Sequence, residues 1–392
     1  MRRLGTLLVA LVLATVAWSC SSPEDYSQPI SRTVRVDADF DEFAASMLAY
    51  FPQVVDVRPG DTIDFRQVWT GEPHSVTMGT LVDTAIKPVR EIIRSGNVPD
   101  EPPPELEPAL AVLPYLLGEN FRVNQSAGQP CYLDEGAPPH EQDTACPQRP
   151  QPEFTGRQSY YSSGLIPYEG TGGNTYRVKL SDDIAPGTYT YYCNYHGPLQ
   201  SGEIVVHPKG ERVPSQSAVD RRGREELRRL ADPLRTAFED AKEGRATYQG
   251  EPVPGHLAGY LPGGEDMAMI NEFVPATIRA KVGEKVTWSF VGPHTVSFDV
   301  PPYFPQFILA PDGFVTFNPQ AYEAVGGPGI TLAQQAPGAP PPAIDAGRWG
   351  GSGFISSGLL YEGTYSLTFE RAGRYRYACL VHPRMVGEVV VS

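Results

Sequence analysis

The chain has 392 residues, of which 39 are Gly and 40 are Pro, with a formal net charge of −14 and five cysteines. That length suits two or three domains, and the Gly and Pro share stays below that of low-complexity disorder. The acidic balance excludes nucleic acid as a partner, because nucleic acid needs a basic footprint; it fits an exported, soluble chain meeting basic partners.

The chain opens on Met1-Arg2-Arg3, a positive n-region, followed by an apolar run over 4–17 too short for a transmembrane helix. Together they predict a secretory signal over residues 1–20. Ala17-Trp18-Ser19-Cys20 resembles a bacterial lipobox, although Ala17 and Trp18 depart from the usual Leu and small residue. The resemblance implies lipidation at Cys20, a polar tether over 21–30, and an exported chain held to a membrane at the cell surface or in the periplasm. Ordinary signal cleavage is the plain alternative.

Strand-like runs follow at 32–36 and 54–57, with a short helical insert expected around 40–50, then a turn at 58–61 and a strand over 62–69. Gly71-Glu72-Pro73-His74-Ser75-Val76 comes next, its Pro73 stiffening a loop that carries an imidazole. From about 79 to 157 the β pattern stops. Residues 81–94 and 106–117 have helical periodicity, interrupted by Pro88, Pro108 and Pro114. Cys131 and Cys146 enclose a polar loop containing His140; in an exported chain they predict a disulfide, in preference to a metal site shared with His140. The whole segment reads as an insertion, either a docking surface or plain packing.

Strand signals resume at 160–166, 174–180, 187–193 and 203–207, closing a first domain over 31–207. Residues 208–264 form a linker. Within it 220–243 carries Leu227, Leu230, Ala231, Leu234, Phe238 and Ala241 on one helical stripe, with Pro233 in the middle and Gly244 at the end. This predicts a helix docked on the β structure or in the groove between the domains, with a partner-binding or lipid-surface helix as the alternative. A second domain over 265–392 has strands at 276–282 and 285–291, His294, a Pro/Gly-rich insertion over about 301–350, and a closing pair of strands. The fold class is therefore all-β.

The two halves repeat in order. Pro73-His74-Ser75-Val76 parallels Pro293-His294-Thr295-Val296, and Ser162-Ser163-Gly164-Leu165 parallels Ser356-Ser357-Gly358-Leu359. Tyr189-Thr190-Tyr191-Tyr192-Cys193 parallels Tyr375-Arg376-Tyr377-Ala378-Cys379. In the last loop Cys379, His382 and Met385 fall at i, i+3 and i+6, and His294 supplies a second imidazole. Two His, one Cys and a weak axial Met form the ligand set of a blue-copper electron-transfer site: thiolate and thioether favour Cu(I), while imidazole binds either oxidation state.

These loops resemble the cupredoxin family, with a spacing most like that of amicyanin and pseudoazurin. The resemblance implies two tandem Greek-key β-sandwiches, each with a long insertion and joined by a helical linker. It carries His294, Cys379, His382 and Met385 over as ligands of one copper, and His74, Cys193 and His196 as ligands of another. No Met follows His196. Gln200 stands opposite Met385 and looks like the axial Gln of stellacyanin, which should lower that site's potential relative to the Met site; if Leu199 faces the metal instead, the site is three-coordinate and its potential higher.

The reading is an electron carrier with two type 1 coppers, not an enzyme, whose redox protein partners dock near His196 and His382. An oxidase or nitrite reductase built from such domains needs further His pairs. This chain has seven His, and only His140, His207 and His256 remain beyond the four ligands, none in a His-x-His pair. Copper storage, sensing or delivery is the other alternative.

Overall fold

In the computed structural model the described residues are 28–95, 103–116, 122–141, 143–147, 150–166, 174–261, 268–302, 305–311, 313–330, 335 and 340–392. The leader, Cys20 and most of the tether lie outside them. Among the described residues strand predominates, and no helix is long and apolar enough to cross a membrane.

In the N-terminal half, Ser31–Val36 runs parallel to Thr62–Gln67, which pairs antiparallel with Thr175–Lys179; Tyr50–Phe51 adds an edge. The facing sheet runs in the order Val54–Val57, Gly197–Val206, Gly187–Cys193, Thr77–Met78, Tyr160–Ser162 and Cys131–Leu133. Strand alternation sets what lies between them: in Ser31–Val36 every second residue is buried. Val34, Val36, Val55, Val57, Ile63, Phe65, Tyr191 and Ile204 then form one core from both sheets. The aromatic Tyr191 belongs to that core, as Trp288 and Tyr377 belong to the corresponding one.

The same pairings recur in the C-terminal half. His256–Tyr260 runs parallel to Lys285–His294, which pairs antiparallel with Leu360–Phe369. Thr277–Ala280 runs parallel to Val386–Val391, as Val54–Val57 does to Gly197–Val206. Ser297–Phe298 lies between Gly373–Ala378 and Ile355–Ser356, matching Thr77–Met78 in its place between Gly187–Cys193 and Tyr160–Ser162.

Four elements differ from the sequence expectation. Residues 40–50 hold no helix: Ala45–Met47 is a strand that pairs with Ala268–Ile270 of the other half. Side-chain to backbone bonds win over helix propensity there. Asp37 Oδ1 accepts the N–H of Ala38 and Met47, and Asp39 Oδ1 accepts those of Phe40 and Ala45. The helical pattern of 106–117 reduces to one turn, Glu107–Leu110, because Pro108 suits only a first turn and Pro114 cannot continue it. His256–Tyr260, inside the expected linker, is a full member of the second half's sheet; Gly255 and Gly259 made it look broken. Ala343–Trp349, inside the expected insertion, pairs parallel with Leu360–Phe369.

Two helices are long. Thr80–Ser95 continues through Pro88 and packs against Tyr160 and Tyr192. Gln216–Lys242 continues through Pro233, and Gly244 follows its end with φ +71°, the left-handed value favoured after a helix. Its Leu227, Leu230, Leu234, Phe238 and Ala241 close a core with Phe43, Met47 and Phe51 of one half and Leu257, Ile270 and Val291 of the other. The helix is thus the shared wall between the halves. Cys131 and Cys146 form a disulfide, so neither joins His140 at a metal site.

Candidate metal centres

Each half gathers two imidazoles and one thiol. His74, Cys193 and His196 form one group and His294, Cys379 and His382 the other; within each group the ligand atoms lie within 4.8 Å of one another. In the first, Cys193 Sγ lies 3.6 Å from His196 Nδ1, and Gln200 Oε1 lies 2.7 Å from His196 Nδ1 and 3.0 Å from His74 Nδ1. The amide oxygen of Gln200 therefore faces the same point as the imidazole nitrogens, while Leu199 is only half-buried beside it. In the second, Cys379 Sγ lies 3.5 Å from His382 Nδ1, and the two Nδ1 atoms are 3.0 Å apart. Met385 is fully buried in the same loop, and its carbonyl accepts the Cys379 N–H.

The repeated sequence segments build one frame twice. The residue after the first His reaches both sides of the thiol: Ser75 N–H points at Cys193 Sγ and Thr295 N–H at Cys379 Sγ, each at 3.4 Å. The hydroxyls of Ser75 and Thr295 accept the N–H of the residue after each Cys, Asn194 and Leu380, both at 2.8 Å. The Ser-Ser-Gly segments explain themselves in the same way. Ser163 and Ser357 hydroxyls accept the N–H of Val76 and Val296, pinning the strand that leaves each His. Ser162 and Ser356 bond Thr77 and Ser297 across the adjacent strand.

Three of the four imidazoles have a carboxylate on the Nε2 side. Asp37 Oδ2 accepts from His74 Nε2 at 2.9 Å and from the Thr70 hydroxyl at 2.6 Å. Glu72 accepts from two rings, His382 Nε2 at 2.9 Å on Oε1 and His196 Nε2 at 3.3 Å on Oε2. A carboxylate on Nε2 holds each of these rings so that Nδ1 turns inward, the nitrogen a metal would take in exchange for its proton. His294 is different: its Nε2 is buried with no hydrogen-bond partner and lies against Gly259. Gly259 follows the pair Ala258 with Phe290, as Asp37 follows Val36 with Gln67, so the repeat places a carboxylate at one centre where the other has a bare glycine.

The electrostatics follow from these contacts. Burial opposes protonation of His74, yet the bond to Asp37 and the Cys193 sulfur raise its pKa to about 10. Against the same burial, the cysteine sulfurs and Glu72 raise His196 to about 9 and His382 to about 10. His294, without a carboxylate, is lowered by burial. Burial pushes both thiols up, but the facing imidazoles overcome it and hold Cys193 and Cys379 well below the ordinary thiol value. Glu72 is likewise held below the usual carboxylate range by the two imidazoles despite its burial. Two thiolates, each ringed by inward-facing Nδ1 atoms in a dry pocket, are a donor set for a soft cation. Copper fits it, since sulfur and imidazole together suit both of its oxidation states.

The insertions meet over these loops. Gln306 donates to the carbonyls of Gly71 and Val381, at 2.8 and 2.6 Å, stapling the loop of one half to the loop of the other. Gln125 pairs through its amide with both backbone groups of Val315, joining insertion to insertion. His140, His207 and His256 stay apart from both centres; His207 bonds Asp56. Among the described residues no third group could hold a metal.

Asp37 and Glu72 were missed in the sequence. Asp37 offers no local signal. Glu72 does offer one, as the acidic residue before Pro73-His74 where the other half has Gly292 before Pro293-His294.

No protein-family model matches the chain, and no curated protein matches it. Solved structures match parts of it. A reduced amicyanin variant is 23% identical over 30% of this chain and 70% of that one, with a TM-score of 0.16. Reduced auracyanin from Roseiflexus castenholzii is 17% identical over 46% of this chain and 99% of that one, with a TM-score of 0.22. A purple cupredoxin from Nitrosopumilus maritimus is 22% identical over 35% of this chain and 98% of that one, with a TM-score of 0.17. These neighbours are cupredoxins.

Proposed function

We propose that the chain is a one-electron carrier with two type 1 copper centres, each built on one of two tandem cupredoxin-like sandwiches. The observation that carries this is the duplicated group itself: a buried thiolate and two inward Nδ1 atoms, held twice by the same hydrogen bonds. His74, Cys193, His196 and Gln200 would hold one ion, and His294, Cys379, His382 and Met385 the other. Copper supplies there a single-electron couple between Cu(I) and Cu(II).

The protein's part is to keep the ligands in place whichever state is present. Cys193 ends a strand and Ser75 fixes its sulfur; Asp37 holds His74 and Glu72 holds His196. Burial limits water: His74, Cys193 and His294 have no exposed surface and His382 only 1%, while His196 keeps 11%. Ligands so enclosed release metal slowly, which favours electron carriage over storage or delivery. With His140, His207 and His256 dispersed, we propose no catalytic copper and no enzymatic turnover. Export, and attachment through Cys20, complete the reading, with redox proteins as external partners. The Nε2 edges of His196 and His382 turn toward Glu72, so contact near the partly open His196 suits a partner better than contact at His382.

An anaerobic redox titration of the copper-loaded chain tests the proposal. It predicts two reversible one-electron steps, the lower belonging to the Gln200 centre and absent in Cys193→Ser. Copper that dissociates on reduction, with no reversible step, contradicts electron carriage.

A further inference from the structure

The two groups face one another. Glu72 belongs to the ligand loop of the first half, two residues before His74, yet its carboxylate is shared between His196 of its own half and His382 of the other, 310 residues away in sequence. It is only 6% exposed. Its loop is locked in place: Gln67 Nε2 donates to the Glu72 carbonyl at 3.1 Å, and Gln306 ties the preceding Gly71 to Val381, next to His382. A Cβ on Gly71 would stand 2.0 Å from the Val381 carbonyl oxygen and 2.9 Å from His382 Cα, so the loops touch with no room for a side chain. A second polar chain crosses the same junction, from Asn271 through Ser46 and Thr70 to Asp37 and His74.

From this geometry we infer that Glu72 is a wire between the two centres, and that electrons pass within the chain along His196, Glu72 and His382. The inference rests on the two-copper reading above. Each imidazole presents Nδ1 to its sulfur and Nε2 to Glu72, so the route from one sulfur's pocket to the other comprises two rings, one carboxylate and two hydrogen bonds. Electronic coupling decays less steeply through covalent and hydrogen bonds than across a gap. With copper in both groups, one electron would pass from the Gln200 centre, its copper oxidised from Cu(I) to Cu(II), to the Met385 centre, its copper reduced from Cu(II) to Cu(I). That direction would follow from Gln200 and Met385 as ligands, since an amide oxygen stabilises Cu(II) more than a thioether does. No proton transfer is required, because Glu72 accepts the same two N–H groups before and after. A one-electron donor protein refills the first centre and a one-electron acceptor protein drains the second. Glu72 is a positioning residue for both rings as well as the link between them.

The test is flash reduction of the fully oxidised, copper-loaded chain by a photogenerated flavin semiquinone, following the two thiolate bands. The inference predicts re-equilibration between the bands at a rate independent of protein concentration. In Glu72→Gln one of the two acceptor oxygens becomes an –NH2 donor that faces a ring N–H, and the rate should fall by about tenfold, read on chains that retain both bands. A second readout is structural: in the diamagnetic Cu(I) chain, slowly exchanging Nε2–H resonances of His196 and His382 should both be lost or shifted in Glu72→Gln. Re-equilibration that scales with protein concentration in the unmodified chain overturns the wire and needs no variant; so does an unchanged rate in Glu72→Gln. Either result leaves the two-copper reading standing. A chain without two thiolate bands overturns both.

Discussion

At Gly259 a positive φ of 75° and a close approach coincide: a Cβ there would stand 1.8 Å from His294 Nε2. The glycine is the floor on which the imidazole lies, at the position where the first half uses Asp37 to hold His74. Gly259→Ala should therefore abolish the thiolate-to-copper band of the Cys379 centre while the Cys193 centre keeps its own. Gly283→Ala, with a similar φ of 82° but open space around it, should cost about 1–2 kcal/mol of stability and spare both bands. Copper titration of the two variants by visible absorption checks this; equal behaviour would show that His294 does not depend on the contact. Gln200 makes the complementary case. Gln200→Met exchanges the amide oxygen near His74 and His196 for a thioether and should raise the potential of the Cys193 centre toward that of its twin, as cyclic voltammetry would report.

Among the elements, the helix Gln216–Lys242 has the clearest energetic role. Leu234, 2% exposed, sits in a core drawn from both halves. Leu234→Ala should destabilise the chain by about 2–5 kcal/mol, and calorimetry should show the two halves losing stability together. The disulfide acts more locally. It spans 15 residues, so Cys131→Ser with Cys146→Ser should lower stability by about 3 kcal/mol in denaturant titration with both copper bands retained. Local elements were also the readable ones. The strand Gly187–Cys193, the stripe of the long helix and the Cys-x-x-His loops declare themselves within a few residues. Ala45–Met47 does not, because its partner Ala268–Ile270 lies beyond 200 residues away and local helix propensity points the other way. Glu72 was visible only as a break in the repeat. Its pairing with His382 depends on how the halves meet, and no local pattern encodes that.

On the scale of the whole molecule, the frame that recurs in both halves is put to unequal use. The frame around each thiol is the same, from the Ser75 and Thr295 amides to the paired serines. Gln200 stands where the other loop has Met385, and the Nε2 partner of the first His and the residue before each Pro-His differ. Glu72, the Gln306 bonds to both ligand loops and the long helix lie where the two halves meet. The most direct test counts copper in the chain after residue 20 and records its visible and EPR spectra, alongside Cys193→Ser and Cys379→Ser. Two coppers per chain are expected, with each variant losing one copper and one intense thiolate-to-copper band. A single copper indifferent to Cys193→Ser, or a colourless chain that binds copper weakly, would contradict the two-copper reading.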